Sequence, residues 1–472
     1  MINHSREELK LKKNKLLLLV AMFASAFLFL VACGDNNDIA EEIPQTEGGA
    51  SQAEESSELS GDITFSWWGD DPRHEATREI MDLFVSENPG VTITPSYAPW
   101  SGFQDQFVIN LFAGTETDLM QVNFNWLELY SPLGESFMDL EDPRITAHLD
   151  LSNWSTEDID MVRTNGVLQA VPTGITARVP FMRSDIYEAA GLDIQDINTW
   201  YDLMEAGRTI QAELGEDVWA LGKLGNASVA YFMFSWLEQY TGRQFVDENN
   251  DFAYTLEELT AGFQFIQDLL DNGVLAYGQF DSDSFNSTNP NWIAGNFGGV
   301  NEWDSSINNW INNLDDGESV IEIRDHFTME TAADGNPPTL SGVMARPSMA
   351  FAISRNSDYP EVAAAFLNFM LTDERAVAIL GTDRGVPSNS VGLAHFEALV
   401  EAGEIGGAAV YANEVHANAV RTTMTPVFEF PEVREIYESQ LEALVYGYTT
   451  VEEAAEFVYR NIAAAIADAL VD

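Results

Sequence analysis

The chain has 472 residues, of which 22 are Lys or Arg and 76 are Asp or Glu, so its formal net charge is -54. This balance excludes a nucleic-acid partner, because a phosphate backbone is bound through basic residues that displace its counterions. A hydrophobic content of 46% excludes global disorder, and the length is sufficient for two domain-sized cores. A surface this acidic also favours a soluble monomer.

The N-terminal segment has the pattern of a bacterial signal peptide. Basic residues between Arg6 and Lys15 precede an almost purely apolar run over Leu16–Val31, which is shorter than the roughly 20 residues that a membrane-spanning helix needs. The run ends at Ala32, directly before Cys33, the only cysteine of the chain. We therefore predict a signal peptide over residues 1–32. An uncleaved anchor helix is the alternative, and both interpretations place the rest of the chain outside the cytoplasm.

The segment Leu30–Cys33 resembles the bacterial lipobox. The resemblance implies that Cys33 is the lipidation site and that a lipid holds the protein at the extracellular face of the cell membrane, as in a Gram-positive bacterium. Residues 33–61 are poor in apolar side chains and rich in Glu, Ser, Gln and Gly, a composition typical of a flexible acidic tether. With a single cysteine, no intramolecular disulfide is possible.

The body of the chain opens with alternating strands and helices. Period-two and helical patterns predict strands over 62–68, 91–97 and 118–123 and helices over 74–87 and 103–113. This β-α-β-α-β order predicts an α/β fold with a largely parallel sheet. Further on, the pattern predicts a strand at 349–354 and helices at 185–190, 200–214, 255–272, from 359, at 431–445 and at 451–470.

Ligands of such sheets bind beyond the carboxyl ends of the strands. The predicted loops at these ends are rich in aromatic and amide side chains, in the segments Trp67–His74, Tyr97–Gly102 and Asn123–Trp126. No second linker follows Gly61, so two lobes would have to be interwoven rather than arranged one after the other.

Several short segments resemble, in order and spacing, the family 1 extracellular solute-binding proteins of sugar ABC importers. They are Phe84–Gly90, Ala113–Leu119, Asn198–Leu203, Trp292–Phe297, Arg346–Met349, Ser357–Leu367 and Arg384–Pro387. The opening Trp67–Thr77 and the segment Met120–Leu127 are most similar to the branch that binds oligosaccharides, including oligogalacturonides.

The resemblance implies a two-lobed periplasmic-binding-protein fold of type II. The chain would cross between the lobes near Gly174, Arg346 and Glu397, so that residues 62–174 with 347–398 form one lobe and 175–346 with 399–472 form the other. It also implies an oligosaccharide ligand, the permease subunits of an ABC transporter as partners, no enzymatic activity and no cofactor.

A sugar-binding site needs flat aromatic surfaces and hydrogen-bonding side chains. Four tryptophans outside clear helical stripes are predicted to stack on sugar rings: Trp68, Trp100, Trp126 and Trp303. Each is equally compatible with a place in the core. Trp154, Trp200 and Trp310 are assigned to packing. Three short polar side chains are predicted to bind hydroxyls, unless they cap helices or form turns: Asp70, Asn123 and Asn125.

Basic residues are scarce in this chain, which makes four of them notable: Arg73, His74, Arg178 and Arg384. If they face the ligand, a carboxylated sugar is favoured, because arginine binds a carboxylate bidentately. If they pair with surface Asp or Glu instead, the pattern is compatible with a neutral ligand. These two alternatives remain open at the level of sequence.

Other functional classes have less support. A glycoside hydrolase needs two carboxylates on either side of the scissile bond, and in a chain with 76 acidic residues the count alone indicates nothing. A receptor that only senses the ligand would have the same fold. The segment 247–258 has the spacing of an EF-hand loop, but Phe252 stands where the sharp turn needs glycine, so no metal is expected.

Overall fold

The computed structural model describes residues 59–222, 226–276, 287–324, 326–381, 384–404 and 422–471. The predicted signal peptide, Cys33 and the predicted tether as far as residue 58 lie outside these ranges. Among the described helices, none combines the length and the apolar character that a membrane crossing requires.

The strands of the described chain belong to one large sheet and one small hairpin. They are β1 (Ser60–Trp68), β2 (Gly90–Ala98), β3 (Leu119–Val122), β4 (Arg163–Thr164), β5 (Val167–Leu168), β6 (Val171–Arg183), β7 (Gly299–Trp303), β8 (Ile321–Ile323), β9 (Met344–Ile353), β10 (Val386–Pro387) and β11 (Thr422–Thr423). The large sheet runs in the order β10-β6-β9-β3-β1-β2, and β4 pairs with β5.

Parallel pairing is confined to a few strand pairs. β1 lies parallel to β2 and to β3, with Ile63 opposite Ile93 and Phe65 opposite Leu119, and β11 is parallel to β9. By contrast, β9 is antiparallel to β3 and to β6, and β6 is antiparallel to β7, β8 and β10. The expectation of a largely parallel sheet is therefore wrong beyond the first three strands, because the two longest strands, β6 and β9, run past each other in opposite directions.

The helices cover this sheet. Those of eight residues or more are α1 (Asp71–Glu87), α2 (Phe103–Ala113), α7 (Trp200–Leu214), α8 (Asn226–Thr241), α9 (Leu256–Asp271), α13 (Pro360–Thr372), α15 (Ser390–Glu401), α16 (Pro431–Val445) and α17 (Val451–Val471). The shorter ones are α3 (Phe124–Tyr130), α4 (Pro143–Thr146), α5 (Thr156–Asp160), α6 (Ser184–Ala189), α10 (Pro290–Ile293), α11 (Ile307–Ile311), α12 (Gly317–Val320) and α14 (Glu374–Leu380).

Alternation along β1 sends neighbouring side chains to opposite faces of the sheet. Phe65 packs edge-on against Phe366 of α13, with ring centroids 5.8 Å apart, whereas Trp68 packs against Phe103 of α2 at 5.4 Å. Both faces of β1 are therefore covered by helices. This arrangement leaves the loops at the strand ends as the accessible part of this region.

Strand β6 connects two regions of the sheet. Its first half pairs with β9, from Val171 to Ala177, and its second half pairs with β7 and β8, from Arg178 to Arg183. Gly174 lies where β6 meets β10, and a Cβ atom there would come within 2.2 Å of the Val386 carbonyl oxygen, so the close approach requires glycine. Two of the three predicted crossing points, Gly174 and Arg346, thus lie on neighbouring strands, and Glu397 lies in α15.

Candidate functional site

Three of the predicted tryptophans form one group, which we call the tryptophan cluster: Trp68, Trp100 and Trp126. Trp68 ends β1, Trp100 follows β2, and Trp126 lies in the first turn of α3. The ring of Trp100 stacks on that of Trp126 with an interplanar angle of 15° and 5.8 Å between centroids, and Trp68 lies 5.1 Å from Trp100 and 5.2 Å from Trp126.

Burial differs sharply within the cluster. Trp126 is 1% exposed and Trp68 is 9% exposed, whereas 49% of Trp100 is exposed. Trp100 is therefore the member with an aromatic surface free for a ligand, and the two buried rings hold it in place. The structure brings these three residues together, although nothing in the sequence indicates that only one of them is exposed.

The fourth predicted tryptophan, Trp303, belongs to a second group, which contains positively and negatively charged side chains. The guanidinium carbon of Arg346 lies 4.3 Å from the centre of its ring and that of Arg178 lies 4.8 Å from it. Each arginine contacts a carboxylate: Arg178 Nη1 lies 2.5 Å from Glu302 Oε1, and Arg346 Nε lies 3.5 Å from Glu429 Oε1. We call these five residues the charged cluster.

Tyr231 of α8 connects the charged cluster to the helical region. Its hydroxyl donates a hydrogen bond of 2.7 Å to Glu429 Oε1, and its ring lies 4.6 Å from the Arg178 guanidinium carbon. Burial, assisted by the negative charge of Glu429, raises the pKa of the Tyr231 hydroxyl well above its ordinary value. The phenol therefore stays protonated and acts as a donor.

Two of the predicted polar side chains touch the charged cluster from α3. Asn123 caps α3, since its Oδ1 accepts from the Phe124 amide at 3.0 Å, and the same oxygen accepts from Arg346 Nη1 at 3.0 Å. Asn125 donates to the Glu429 carbonyl at 3.5 Å, and its buried Oδ1 has no hydrogen-bond partner within the described part of the chain. The first turn of α3 therefore contacts both clusters, through Trp126 on one side and these asparagines on the other.

The remaining residues of the first predicted loop have local partners. Asp70 is exposed and caps α1, where its side chain accepts from the Arg73 amide at 3.4 Å. Arg73 Nη1 lies 3.4 Å from the Trp68 carbonyl oxygen and 3.7 Å from the Met349 sulfur. Arg73 therefore lies beside the tryptophan cluster, and Asp70 lies at the start of the same helix.

His74 lies on the other face of β1 from the tryptophan cluster. Its Nδ1 accepts from Trp67 Nε1 at 3.0 Å, and its ring is 4.3 Å from that of Tyr97. Burial lowers the pKa of His74. The neutral ring that results carries its proton on Nε2, because Nδ1 is an acceptor.

Arg384 is buried between side chains of β3 and α1. Its Nε donates to Gln121 Oε1 at 3.0 Å and its Nη2 donates to Thr77 Oγ1 at 2.8 Å. Gln121 in turn donates to the Trp68 carbonyl oxygen at 3.2 Å. Arg384 therefore supports the backbone at the end of β1, one residue removed from the tryptophan cluster.

Sequence reasoning missed four residues of this region as site residues: Tyr231, Glu302, Arg346 and Glu429. Glu302 could have been found from its place next to Trp303. Arg346 could have been found because it is one of the few basic residues and lies at a predicted crossing between the lobes. Tyr231 and Glu429 carried none, since they come from α8 and from the 3₁₀ turn Pro426–Glu429, far apart in sequence.

A separate pocket of about 220 Å³ lies between α2 and the sheet. Residues that line it include Ser66, Ser96, Phe103, Gln106 and Asn110. None of the predicted ligand-binding residues lines this pocket.

Within the described ranges, no group of three or more His, Cys, Asp or Glu side chains is arranged to hold a metal ion. In the segment with EF-hand spacing, Asp247 closes a turn by accepting from the Asn249 and Asp251 amides at 2.8 and 3.0 Å. Glu258 forms a capping box with Thr255 at the start of α9.

Comparison with solved structures identifies the fold. The chain superimposes on a periplasmic solute-binding protein of Pectobacterium atrosepticum with a TM-score of 0.77 and 27% identity, over 87% of this chain and 99% of the other. It also superimposes on a periplasmic oligogalacturonide-binding protein of Yersinia enterocolitica, solved in complex with saturated digalacturonic acid, with a TM-score of 0.73 and 24% identity, over 87% and 99% of the two chains. The predicted two-lobed α/β fold of periplasmic binding proteins is therefore confirmed.

The matches to curated sequence relatives are shorter. An arabinooligosaccharide-binding protein of Halalkalibacterium halodurans is 27% identical over 106 residues, which is 22% of this chain and 23% of that protein. This chain covers 23% of that protein, 38% of a putative binding protein of Brucella abortus and 50% of an arabinooligosaccharide-binding protein of Bacillus subtilis. A longer match establishes the family, because residues 70–376, more than half of the chain, match the sequence pattern of bacterial extracellular solute-binding proteins. The protein belongs to this family.

Proposed function

We propose that this protein captures an oligosaccharide between its two lobes outside the cell and delivers it to the permease subunits of an ABC importer. The observation that carries the proposal is Trp100, which is half exposed and stacks on the buried Trp126 beside the end of β1. An aromatic plate of this kind fits the apolar C–H face of a sugar ring. Short polar side chains nearby, Asp70 and Asn123, supply hydrogen bonds to hydroxyls.

Two similar proteins support a sugar as the ligand. One relative is an arabinooligosaccharide-binding protein, and one structural neighbour was solved with digalacturonic acid. The two differ in the charge of the sugar, so together they support the class of oligosaccharides rather than one compound. Periplasmic binding proteins close on their ligands by rotation of the two lobes about a hinge, and we propose the same motion for this chain.

The location follows in part from the family. Membership of an extracellular family places the protein outside the cytoplasm. We further propose that lipidation of Cys33 anchors it to the membrane and that residues 33–61 act as a tether, which agrees with the basic and apolar pattern of the first 32 residues.

The family is one of binding proteins, and we propose that this member catalyses no reaction. The carboxylates of the charged cluster, the partly buried Glu302 and the buried Glu429, each contact an arginine. A glycosidase needs one carboxyl group as an acid and a second one as base or nucleophile, both free to reach the glycosidic bond. Incubation with the bound sugar should release no reducing ends, and their release would contradict this part of the proposal.

A thermal-shift screen of the full chain tests the main proposal. Ligands that bind only the folded state raise the unfolding midpoint by mass action, by about 2.7 kcal/mol of stability at 100 times the dissociation constant. We expect a rise with at least one oligosaccharide from a set of arabino-, malto-, galacto- and galacturono-oligosaccharides. A midpoint that moves with none of them, while amino acids or short peptides raise it, would contradict the proposal.

A receptor that only senses the sugar is the second candidate, because it would have the same fold and site. Uptake distinguishes the two functions. Cells that lack this protein should lose import of the sugar if it serves a transporter, and they should import it normally if it only senses the ligand.

A further inference from the structure

We infer that Glu302 and Glu429 make the binding region selective for uncharged oligosaccharides and exclude sugars that carry carboxylates. The inference rests on the proposed function, since it names the class of sugar that the same region accepts. It starts from the observation that the arginines of the charged cluster already have carboxylate partners.

The first pair is enclosed on several sides. Arg178 Nη1 lies 2.5 Å from Glu302 Oε1 and also donates to the Asn301 carbonyl at 2.7 Å and to Ser228 Oγ at 3.0 Å. The side chain of Arg178 is 6% exposed and that of Glu302 is 17% exposed. The ring centres of Tyr231 and Trp303 lie 4.6 and 4.8 Å from the guanidinium carbon of Arg178. A ligand carboxylate that approaches Nη1 would therefore find this nitrogen occupied and would meet the charge of Glu302.

The second pair also has internal partners, although Arg346 Nε forms no hydrogen bond within the described residues. Arg346 Nη1 donates to Asn123 Oδ1 at 3.0 Å and to the Pro347 carbonyl at 3.3 Å, and its Nε faces Glu429 at 3.5 Å. Glu429 also accepts from the Tyr231 hydroxyl at 2.7 Å. The side chains of Arg346 and Glu429 are 12% and 8% exposed.

The two other predicted arginines do not restore a positive site. Arg384 is 3% exposed, and its Nε and Nη2 donate to Gln121 and Thr77. Arg73 lies in the first turns of α1, next to Asp70 and Asp71. The arginines that favoured a carboxylated ligand are thus buried with internal partners or accompanied by acidic residues.

Like charges at close range make the binding of an anion unfavourable, and in a buried region solvent screens this repulsion only weakly. A neutral sugar meets no such penalty, because its hydroxyls both donate to carboxylates and accept from guanidinium groups. Exclusion of one class by repulsion is a recognised source of specificity. Glu302 and Glu429 neutralise the guanidinium charges that would attract an anion, and they repel a carboxylate that approaches from their side.

Calorimetric titration of the full chain tests the inference. The probes are neutral arabino- and galacto-oligosaccharides, oligogalacturonides of the same length, and the methyl esters of those oligogalacturonides, which keep the ring and remove the charge. We expect the neutral sugar that binds best to bind at least about tenfold more tightly than any oligogalacturonide. Methyl esters should bind at least as tightly as the free acids.

Ionic strength separates local from long-range repulsion. At about 1 M NaCl the Debye length is about 3 Å, so the general field of the acidic surface is screened while buried contacts are not. The preference for neutral sugars should persist at this salt concentration. Its loss there would overturn the assignment to Glu302 and Glu429, and an oligogalacturonide that binds as tightly as the best neutral sugar would overturn the inference outright. Absence of binding by every sugar would instead contradict the proposed function.

A pair of variants assigns the effect to a residue. Glu302→Gln frees Arg178 of its carboxylate, and we expect the affinity ratio of oligogalacturonide to neutral sugar to rise at least about tenfold. Glu322→Gln, in strand β8 on the opposite side of β6 from β7, removes the same charge away from the cluster and should leave the ratio unchanged. An unchanged ratio in a folded Glu302→Gln protein would overturn the role of Glu302. If that variant does not fold, the comparison of acid with methyl ester in the unaltered protein decides the matter.

Discussion

Trp100 and Trp126 stack on each other, yet they differ in what they contribute. Trp126 is fully buried at the centre of an aromatic group, whereas half of Trp100 remains exposed. We expect Trp100→Ala to weaken sugar binding by about 1–2 kcal/mol, the value of an aromatic stacking contact and part of its buried area. Titration calorimetry measures this loss, and urea unfolding should show little change in stability.

Trp126→Ala is the matched comparison. Removing a fully buried tryptophan leaves a cavity and should cost about 3–5 kcal/mol of the free energy of unfolding. If Trp100→Ala destabilised the fold as strongly as Trp126→Ala while leaving the affinity intact, Trp100 would be a core residue and not a binding surface.

His326 makes stability depend on pH in a defined interval. Burial lowers the pKa of this imidazole from 6.5 to about 4, and within the described residues neither ring nitrogen has a hydrogen-bond partner. In the unfolded chain the ring takes up a proton below about pH 6.5, whereas in the folded protein it stays neutral down to about pH 4. This residue therefore contributes a free energy of unfolding that rises by about 3 kcal/mol between those two pH values and is constant above them.

The variant His326→Phe isolates this contribution, because it keeps an aromatic ring against Trp200 and removes the titrating group. The difference in unfolding free energy between the two proteins should change with pH between about 4 and 6.5. His148→Phe, at an exposed position, should reproduce the pH dependence of the unaltered protein. A difference between His326→Phe and the unaltered protein that is the same at every pH would contradict this prediction.

Helix α7 shows how a short local signal positions an element. Thr199 accepts from the Asp202 amide at 3.1 Å and Asp202 accepts from the Thr199 amide at 2.9 Å, which is a complete capping box. Thr199→Ala should lower the free energy of unfolding by about 1 kcal/mol. Thr209→Ala, in the same helix, removes a hydroxyl that donates to the Glu205 carbonyl one turn earlier and should cost much less in urea unfolding. Equal losses in both variants would mean that the cap contributes nothing specific.

The elements that could be predicted from sequence are those with local stop and start signals. Helices α2, α7 and α16 begin and end at the predicted residues, because a Gly, a capping Thr or a Pro marks their ends. Strand β6 was not predicted, since all thirteen residues are buried and no alternation exists to detect, and its Pro172, Gly174 and Pro180 are typical of loops. Helix α8 was not predicted for a similar reason: its buried residues lie on all sides, so the sequence shows no apolar stripe with helical spacing.

In the binding region, too, one cluster could be predicted from the sequence and the other could not. The tryptophan cluster could be predicted, because residues that follow neighbouring parallel strands meet at one edge of the sheet. The charged cluster could not, because the pairs Arg178–Glu302 and Arg346–Glu429 depend on antiparallel strands and on a 3₁₀ turn that no local pattern aligned. Predicted packing roles for Trp154, Trp200 and Trp310 are confirmed, since all three are buried.

The net charge of -54 affects the whole molecule. Like charges repel one another in the folded state, and added salt screens that repulsion. We expect the thermal unfolding midpoint to rise between about 10 mM and about 1 M NaCl, as measured by calorimetry. KCl should give the same rise, because screening depends on ionic strength and not on the identity of the cation. A midpoint that falls with salt would mean that favourable ion pairs outweigh the repulsion.

Capture of a sugar between two lobes requires them to move together. Strands β6 and β9, which carry Gly174 and Arg346, are the predicted place of rotation, and the domain limits that follow from them remain a prediction. Small-angle X-ray scattering of the full chain, with and without a saturating amount of the sugar found by thermal shift, tests this most directly. The radius of gyration should decrease when the sugar binds. A sugar that binds tightly while the scattering curve stays the same would contradict capture by closure.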